Sequence, residues 1–569
     1  MNTHNSTELS LGHLTIKDHD SSKVVINNIN NDDKVKDLTD LPSDIFLLIS
    51  SYLSPQDCVL CRRVSRQWFK AFTNVDASWN FMRWHFPRSR EMRLAAEEQG
   101  DKPDWTRIFA QVARRYFYLR SAKPRLVEKV DVMQESIGRN GPFKGVKPWD
   151  RWLTWNDNTA IFQDKDPTWT MDDGLLVYQE AISGQHIAYD LETRHRFPVP
   201  FDASDKTIRR LRLTCGLLII EWCERNPFQS VNLVIAHRHF ATAFDVLRQS
   251  SSSTLPSPSE GNPAWHITFR SEWKIHSLGL PLDSDDRFFS AHTSTHYALY
   301  LWQQIPSSWT IIPIEELTIW DISKPSAYRP SLDPPGAKKP APDSSEQGPT
   351  VVNKFSTLDL DFMNLRQGGT PSFREILLDD ANVYVHEEDH RWLVGQQASE
   401  TQPRHHRVRC TGIPFSGTGP LWFDECCADG NIFMSFCPRA GSLSRILGNR
   451  PPGSDGSGSG SATWPGLAPC WRHEEFPYLT VSDVVDAGAG VRVVARQCFM
   501  MEALSSFVLP KISVQEERDG GSGEAEEELA EVRFEDGMWK ELLRKGKIMG
   551  DERWVVGEDF DGKVTIVRF

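Results

Sequence analysis

One pentapeptide of this chain, His386-Glu387-Glu388-Asp389-His390, spells H-E-x-x-H. On a helix, histidines at that spacing share a face and can hold a zinc ion, with the glutamate as general base of a hydrolase. The flanks argue against a helix. ANVYV before the motif and RWLVG after it are β-type runs, so HEEDH is expected in the polar turn of a hairpin, where the histidines do not converge. Cys58 and Cys61 are spaced like half a zinc site or a redox pair, but both fall on an apolar helical stripe, which points to packing. Cys426, Cys427 and Cys437 lack a second ligand pair at finger-like spacing, and His405-His406 lies between arginines. GSGSG (456–460) and GAG (488–490) have no strand-to-helix setting for a phosphate loop, and no G-x-S-x-G elbow occurs. No catalytic residue, metal ligand or cofactor site is expected.

The elements around these residues must therefore carry the function. At 569 residues the chain exceeds what one core can hold, which suggests roughly two to four domains. Its hydrophobic share of 39% and charged share of 25% are near the globular norm, so most of it should fold. Twenty tryptophans favour pleated, half-buried surfaces over a helical bundle. A net charge of −13 opposes a general grip on phosphate backbones, so no nucleic-acid partner is expected. Ten cysteines are too sparse for a disulfide scaffold, and the opening residues lack the pattern of a signal peptide. No apolar run approaches the ~20 residues of a membrane span. The expectation is a soluble protein of the cytoplasm, the nucleus or both, with reduced thiols.

Texture divides the chain. Residues 1–37 are polar and expected to be disordered, 38–86 form a small helical module, and 87–140 continue as a helical linker. From about 145 to 569 short β-type runs take over, such as GLLVYQ (174–179), LRLTCGLLIIEW (211–222) and HYALYLW (296–302). Low-complexity tracts near 250–263, 324–349, 451–462 and 515–531 read as disordered surface insertions, because strands resume on both sides. Two echoes suggest repetition: AYDLE (188–192), AFDVL (243–247) and IWDIS (319–323), and DDRFFSA (285–291), DHRWLVG (389–395) and DERWVVG (551–557). The fold class expected is α+β multidomain: a three-helix module, a helical linker and a large all-β region resembling a propeller, with a β-sandwich pair as the rival.

The helical module is the most informative stretch. Ile45, Leu48, Ile49, Tyr52 and Leu53 recur at helical spacing, and Pro42 suits a first turn. Ser54-Pro55-Gln56-Asp57 then supplies a cap, a first-turn proline and an N3 carboxylate for a second helix, on which Cys58, Cys61, Val64 and Trp68 share a stripe.

Leu41-Pro42, the Ile45 and Ile49 stripe, Tyr52-Leu53-Ser54-Pro55, Asp57, Val64-Ser65 and Trp68 together resemble the F-box family. Asp76-Ala77-Ser78-Trp79 fits the turn before that module's last helix. Cys58 and Cys61 stand where leucine or a similar residue is usual, and Ser65 where cysteine is common; each keeps the size or packing class. The resemblance covers under a tenth of the chain. It implies a non-catalytic adaptor that docks on a Skp-type linker protein and, through it, on a cullin–RING ubiquitin ligase. Leu41, Pro42, Ile45, Ile49 and Leu53 are the expected linker contacts, over a module core of Leu48, Tyr52, Cys58, Cys61, Val64 and Trp68. The β region would recruit an unknown protein substrate, whose contact residues the sequence does not reveal. Alternatives are an F-box scaffold acting without ubiquitin transfer, and a zinc hydrolase using HEEDH.

Overall fold

The computed structural model describes residues 37–97, 103–133 and most of 168–569. The amino-terminal tail and nearly all of the tracts near 250–263, 451–462 and 515–531 lie outside the described residues. Contacts divide the chain into two compact units, Met1–Thr73 and Asn74–Phe569.

In the first unit Asp37 caps a 3-10 turn, Leu38–Asp40, followed by α1 (Ser43–Ser50), α2 (Pro55–Cys61) and α3 (Arg66–Phe72). Ser54 Oγ accepts from Asp57 N at 3.1 Å, the cap that the sequence announces. The second helix is shorter than expected. It stops at Cys61, and Ser65 starts α3 by accepting from Trp68 N at 3.1 Å. A serine hydroxyl offers the backbone an alternative to a continued helical ladder, so it favours a cap over a helix interior. Cys58 and Trp68 therefore do not share a helix.

The second unit opens with α4 (Val75–His85), α5 (Arg90–Glu97) and α6 (Trp105–Arg120). The stretch 38–86 thus holds four helices rather than three. The helical linker also ends early, because Leu126–Asp131 is a strand. It pairs antiparallel with Lys563–Arg568, setting buried Val130 opposite Val564.

That pairing completes one of the six antiparallel sheets of four or more strands among the described residues, beside which Gln229–Val231 and Val234–Ala236 form a two-stranded one. Sheet I contains Trp169–Asp172, Leu175–Gln179, His186–Asp190 and Arg196–Pro198. Sheet II contains Lys206–Thr214, Leu217–Glu224, His239–Arg248 and Trp265–Lys274. Sheet III contains Arg287–His292, His296–Gln304, Pro313–Asp321 and Thr350–Phe355. Sheet IV contains Phe373–Leu378, Asn382–Trp392, Arg404–Pro414, Trp422–Cys427, Ile432–Met434 and Ala462–Thr463. Sheet V contains Tyr478–Asp486, Val491–Cys498, Lys511–Glu516 and Ala530–Arg533. Sheet VI joins Met549–Gly550, Trp554–Glu558 and Lys563–Arg568 to Leu126–Asp131.

Strand periodicity explains how these sheets pack. Successive side chains point to opposite faces. In Leu175–Gln179, Leu175 and Val177 enter a core shared with sheet II, while Leu176 and Tyr178 enter one shared with sheet VI. Sheet II offers Leu218, Ile220 and Trp222 to sheet I, and Leu217, Ile219 and Cys223 to sheet III. Ala298, Tyr300 and Trp302 of sheet III meet Phe373, Ile376 and Val383 of sheet IV. Burial on both faces is why these strands read as unbroken apolar runs. The AYDLE, AFDVL and IWDIS echoes all lie on the third strand of sheets I, II and III.

Two expectations are corrected here. HEEDH lies inside the strand Asn382–Trp392, not in a turn. Positions four apart on a strand stand about 13 Å from each other along the backbone, so this setting is not the helix face on which H-E-x-x-H gathers its histidines. The proline-rich tract near 324–349 is ordered over 324–341 rather than disordered. Ser326 N donates to Arg270 O at 2.9 Å, the Arg329 guanidinium lies 4.0 Å from the Phe269 ring, and Asp333 accepts from Ala337 N and Lys338 N. This strap runs beside Trp265–Lys274, the edge of sheet II, where a sheet needs cover.

Candidate functional site: an outward apolar face

The first unit turns one side of α1 inward. Phe46 and Ser50, four apart, are buried. The Phe46 ring meets Phe72 edge-on at 5.0 Å, and Phe72 stacks on Trp68 at 5.7 Å. The Trp68 indole Nε1 donates to both Asp37 carboxylate oxygens at 2.9 Å, a partner for the polar end of an otherwise apolar ring. Cys58 is fully buried, with its Sγ 3.9 Å from Ser50 O. Burial, with Cys61 and Asp57 adding to it, pushes the Cys58 thiol up to about 12; burial and Asp57 also raise Cys61. A buried, protonated thiol such as that of Cys58 packs as a small apolar group.

The opposite side is bare. Ile45 and Ile49 are each 40% exposed, Leu48 57% and Tyr52 85%. Successive helical residues are turned by 100°, which sets this stripe roughly 130° from the buried Phe46–Ser50 line. Leu60, Val64 and Phe69 add exposed apolar surface on α2, the following turn and α3.

Of the five expected contact residues, Pro42, Ile45 and Ile49 are exposed, and Leu41 and Leu53 are half-buried. The expected core fares differently. Cys58 is buried, and Cys61 and Trp68 are half-buried, but Leu48, Tyr52 and Val64 point to solvent. Leu48 and Tyr52 share the outward stripe with Ile45 and Ile49, while Val64 sits in the break between α2 and α3. The actual inward anchors, Phe46 and Phe72, escaped the sequence reading. The signal for them was there: a Trp–Phe pair four apart on α3 calls for an aromatic partner across the module.

In the second unit α4 packs on α6, with Trp79 against Trp105 at 4.5 Å and Phe81 against Phe109 at 5.3 Å. No helix among the described residues is long and apolar enough to cross a membrane.

An F-box-like family model matches residues 38–81, so the chain carries an F-box-like domain there. No curated protein matches the chain. Among solved structures it is similar to the extracellular domains 1–2 of Drosophila Semaphorin 1a, at 10% identity over 69% of this chain and 83% of that one, with a TM-score of 0.22. A superposition that loose carries no weight for the fold.

Proposed function

We propose that the chain is a substrate-recruiting adaptor of a modular cullin–RING ubiquitin ligase. Its F-box-like domain docks on a Skp-type linker, and the β-rich unit, whose stacked sheets we take as propeller blades, receives a target protein. The observation that carries the reading is the outward stripe of Ile45, Leu48 and Ile49 on α1, extended by Tyr52 in the turn after it, over an inward core that uses a different face of that helix. Large contiguous apolar surface on a soluble module marks a protein interface. Leu41, Pro42, Ile45, Ile49 and Leu53 are the proposed linker contacts, with Leu48 and Tyr52 now added. The chemistry asked of the chain is positional: holding the target beside a ubiquitin-charged carrier raises effective concentration, with no acid, base or nucleophile supplied by the adaptor.

The test is direct. Burying an Ile or Leu side chain is worth ~1.5–3 kcal/mol, so Ile45→Glu with Ile49→Glu should weaken linker binding by more than about a hundredfold. Co-purification with a Skp-type linker reads the loss, and circular dichroism of the full chain checks that the fold persists. Undiminished binding sinks the assignment.

A further inference from the structure

Sheets III and IV are joined by a short helix, α7 (Thr357–Phe362), fixed from one side. Ser356 and Asp359 close a capping box across its start. The Thr357 hydroxyl donates to Glu315 O at 2.8 Å and accepts from Glu315 N at 3.0 Å. Leu360 is fully buried in the core between the two sheets, with Phe355, Met363 and Leu365. What this anchoring leaves outside is unusual: Leu358 is 80% exposed and Phe362 81%. Side chains four apart share a helical face, so the two make one apolar knob. Asp359 and Asp361 are exposed beside it, and Arg366 approaches Asp361 at 3.8 Å in a pair open to solvent.

The knob sits at a particular end of the β-rich unit. Turns between the first two strands of several sheets gather at the other end. Arg553, entering the second strand of sheet VI, donates to Asp173 in the turn of sheet I at 2.8 Å. His292, ending the first strand of sheet III, lies 3.2 Å from Leu217 O, at the turn of sheet II. Helices α5 and α6 attach there too, through Arg90 to Asp173 and through Arg115 and Tyr116 to Glu552. In sheet III that end holds His296, which pairs with Asp321, the last residue of its strand. Glu315, against which α7 is tied, lies near the start of the same strand, Pro313–Asp321. A strand of that length puts roughly 25 Å between the knob and the helix-bearing end.

We infer that Leu358 and Phe362 are a contact point for the recruited target, and that the target segment they fit is a basic amphipathic one, with apolar side chains over the knob and Lys or Arg facing Asp359 and Asp361. The inference rests on the adaptor reading above. The net charge of −13 favours a basic partner at long range. Two large apolar side chains pre-set on an anchored helix lose little freedom when covered, as residues that dominate interfaces do.

The probe is a labelled peptide of leucine and lysine patterned at helical spacing, titrated against the full chain by fluorescence anisotropy. The Leu358→Ser, Phe362→Ser double variant should bind it at least about tenfold more weakly. Added salt should weaken wild-type binding, and the same peptide with glutamate for lysine should not bind. Both substitutions are at exposed positions, so an unchanged melting temperature is expected and checks the fold. Absence of binding, equal binding by the double variant, or equal binding of the glutamate peptide overturns the inference. So does a wild-type dimer that the variant abolishes, which would make the knob a self-association surface. Linker co-purification, measured alongside, should be untouched by the variant; its failure in the wild type would sink the adaptor reading and leave the peptide result standing.

Discussion

Glu552 shows how one residue can fasten two kinds of structure. Its carboxylate is fully buried and accepts from Arg90 N at 3.0 Å, the Arg115 guanidinium at 2.8 Å and the Tyr116 hydroxyl, tying α5 and α6 to the turn that opens the second strand of sheet VI. Burial raises the Glu552 carboxyl, and Arg115 draws it back down. Arg115 meanwhile forks onto Glu91 with two bonds of 2.8 Å, and those bonds outweigh burial and hold Glu91 low. Removing one partner of a buried charge network strands the rest and typically costs about 3–5 kcal/mol. Glu552→Ala should therefore destabilise the β-rich unit by that order, with Glu552→Gln milder, since the amide keeps an acceptor for Arg90 N. Denaturant unfolding of the full chain measures both. Equal, negligible effects would mean that the helices are held by their aromatic contacts alone. No local pattern hints at this role, because DERWVVG reads as a strand start and its partners lie more than four hundred residues away.

Elements carry more of their meaning in the chain's own order. Strand Leu126–Asp131 is the exception worth testing: it closes sheet VI from the far side of the sequence and buries Val130 against the core of sheet I. Val130→Asp places an unpaired carboxylate there. It should cost about 3 kcal/mol or more and expose the edge of Lys563–Arg568 to limited proteolysis at the carboxyl end; an unchanged cleavage pattern would deny that closure matters. No local pattern announces such a partner, which is why 126–131 reads as linker. Strands with close partners were legible. Leu217–Glu224 and His296–Gln304 appear in the sequence as apolar runs, and the aromatic-Asp echoes pick out equivalent third strands, with Asp190 accepting from Glu192 N and Asp321 from Ser323 N in the turns that follow. The stripe of α1 was equally plain, but its direction was not. Amphipathicity says which residues are apolar, and a module with apolar residues on two sides does not say which side its own Phe72 will cover. HEEDH failed as a turn for a similar reason: the pairing of His386 with Cys410 and Glu387 with Arg409 extends a strand through polar residues that local propensity assigns to a loop.

At the scale of the whole β-rich unit, stacking sheet on sheet traps ionisable groups, and their signs set how stability answers acid. His186 has no hydrogen-bond partner for either ring nitrogen among the described residues, and the His292 Nε2 lies 3.2 Å from Leu217 O. Burial pushes His186 down to about 4; burial, and secondarily Arg212, do the same to His292. His239 is lowered further in the same way. An unfolded histidine titrates near 6.5. As pH falls from about 6.5 towards 4, the unfolded chain takes up protons that the native imidazoles refuse, so stability is lost over that window, by up to about 3 kcal/mol each for His186 and His292. Asp172 works in the opposite sense. Burial, with Asp173 beside it, raises its carboxyl to about 6, so the native state takes up that proton first and stability is regained as pH falls from about 6 to 4. The histidines outnumber it, and the net expectation is a unit that weakens on acidification. His186→Gln with His292→Gln should flatten the decline in melting temperature between about pH 7 and pH 5, whereas Asp172→Asn should steepen it. Comparing slopes rather than absolute stabilities removes the packing cost of each substitution. Parallel slopes in all three proteins would show that water reaches these side chains and that the sheets are not sealed against one another.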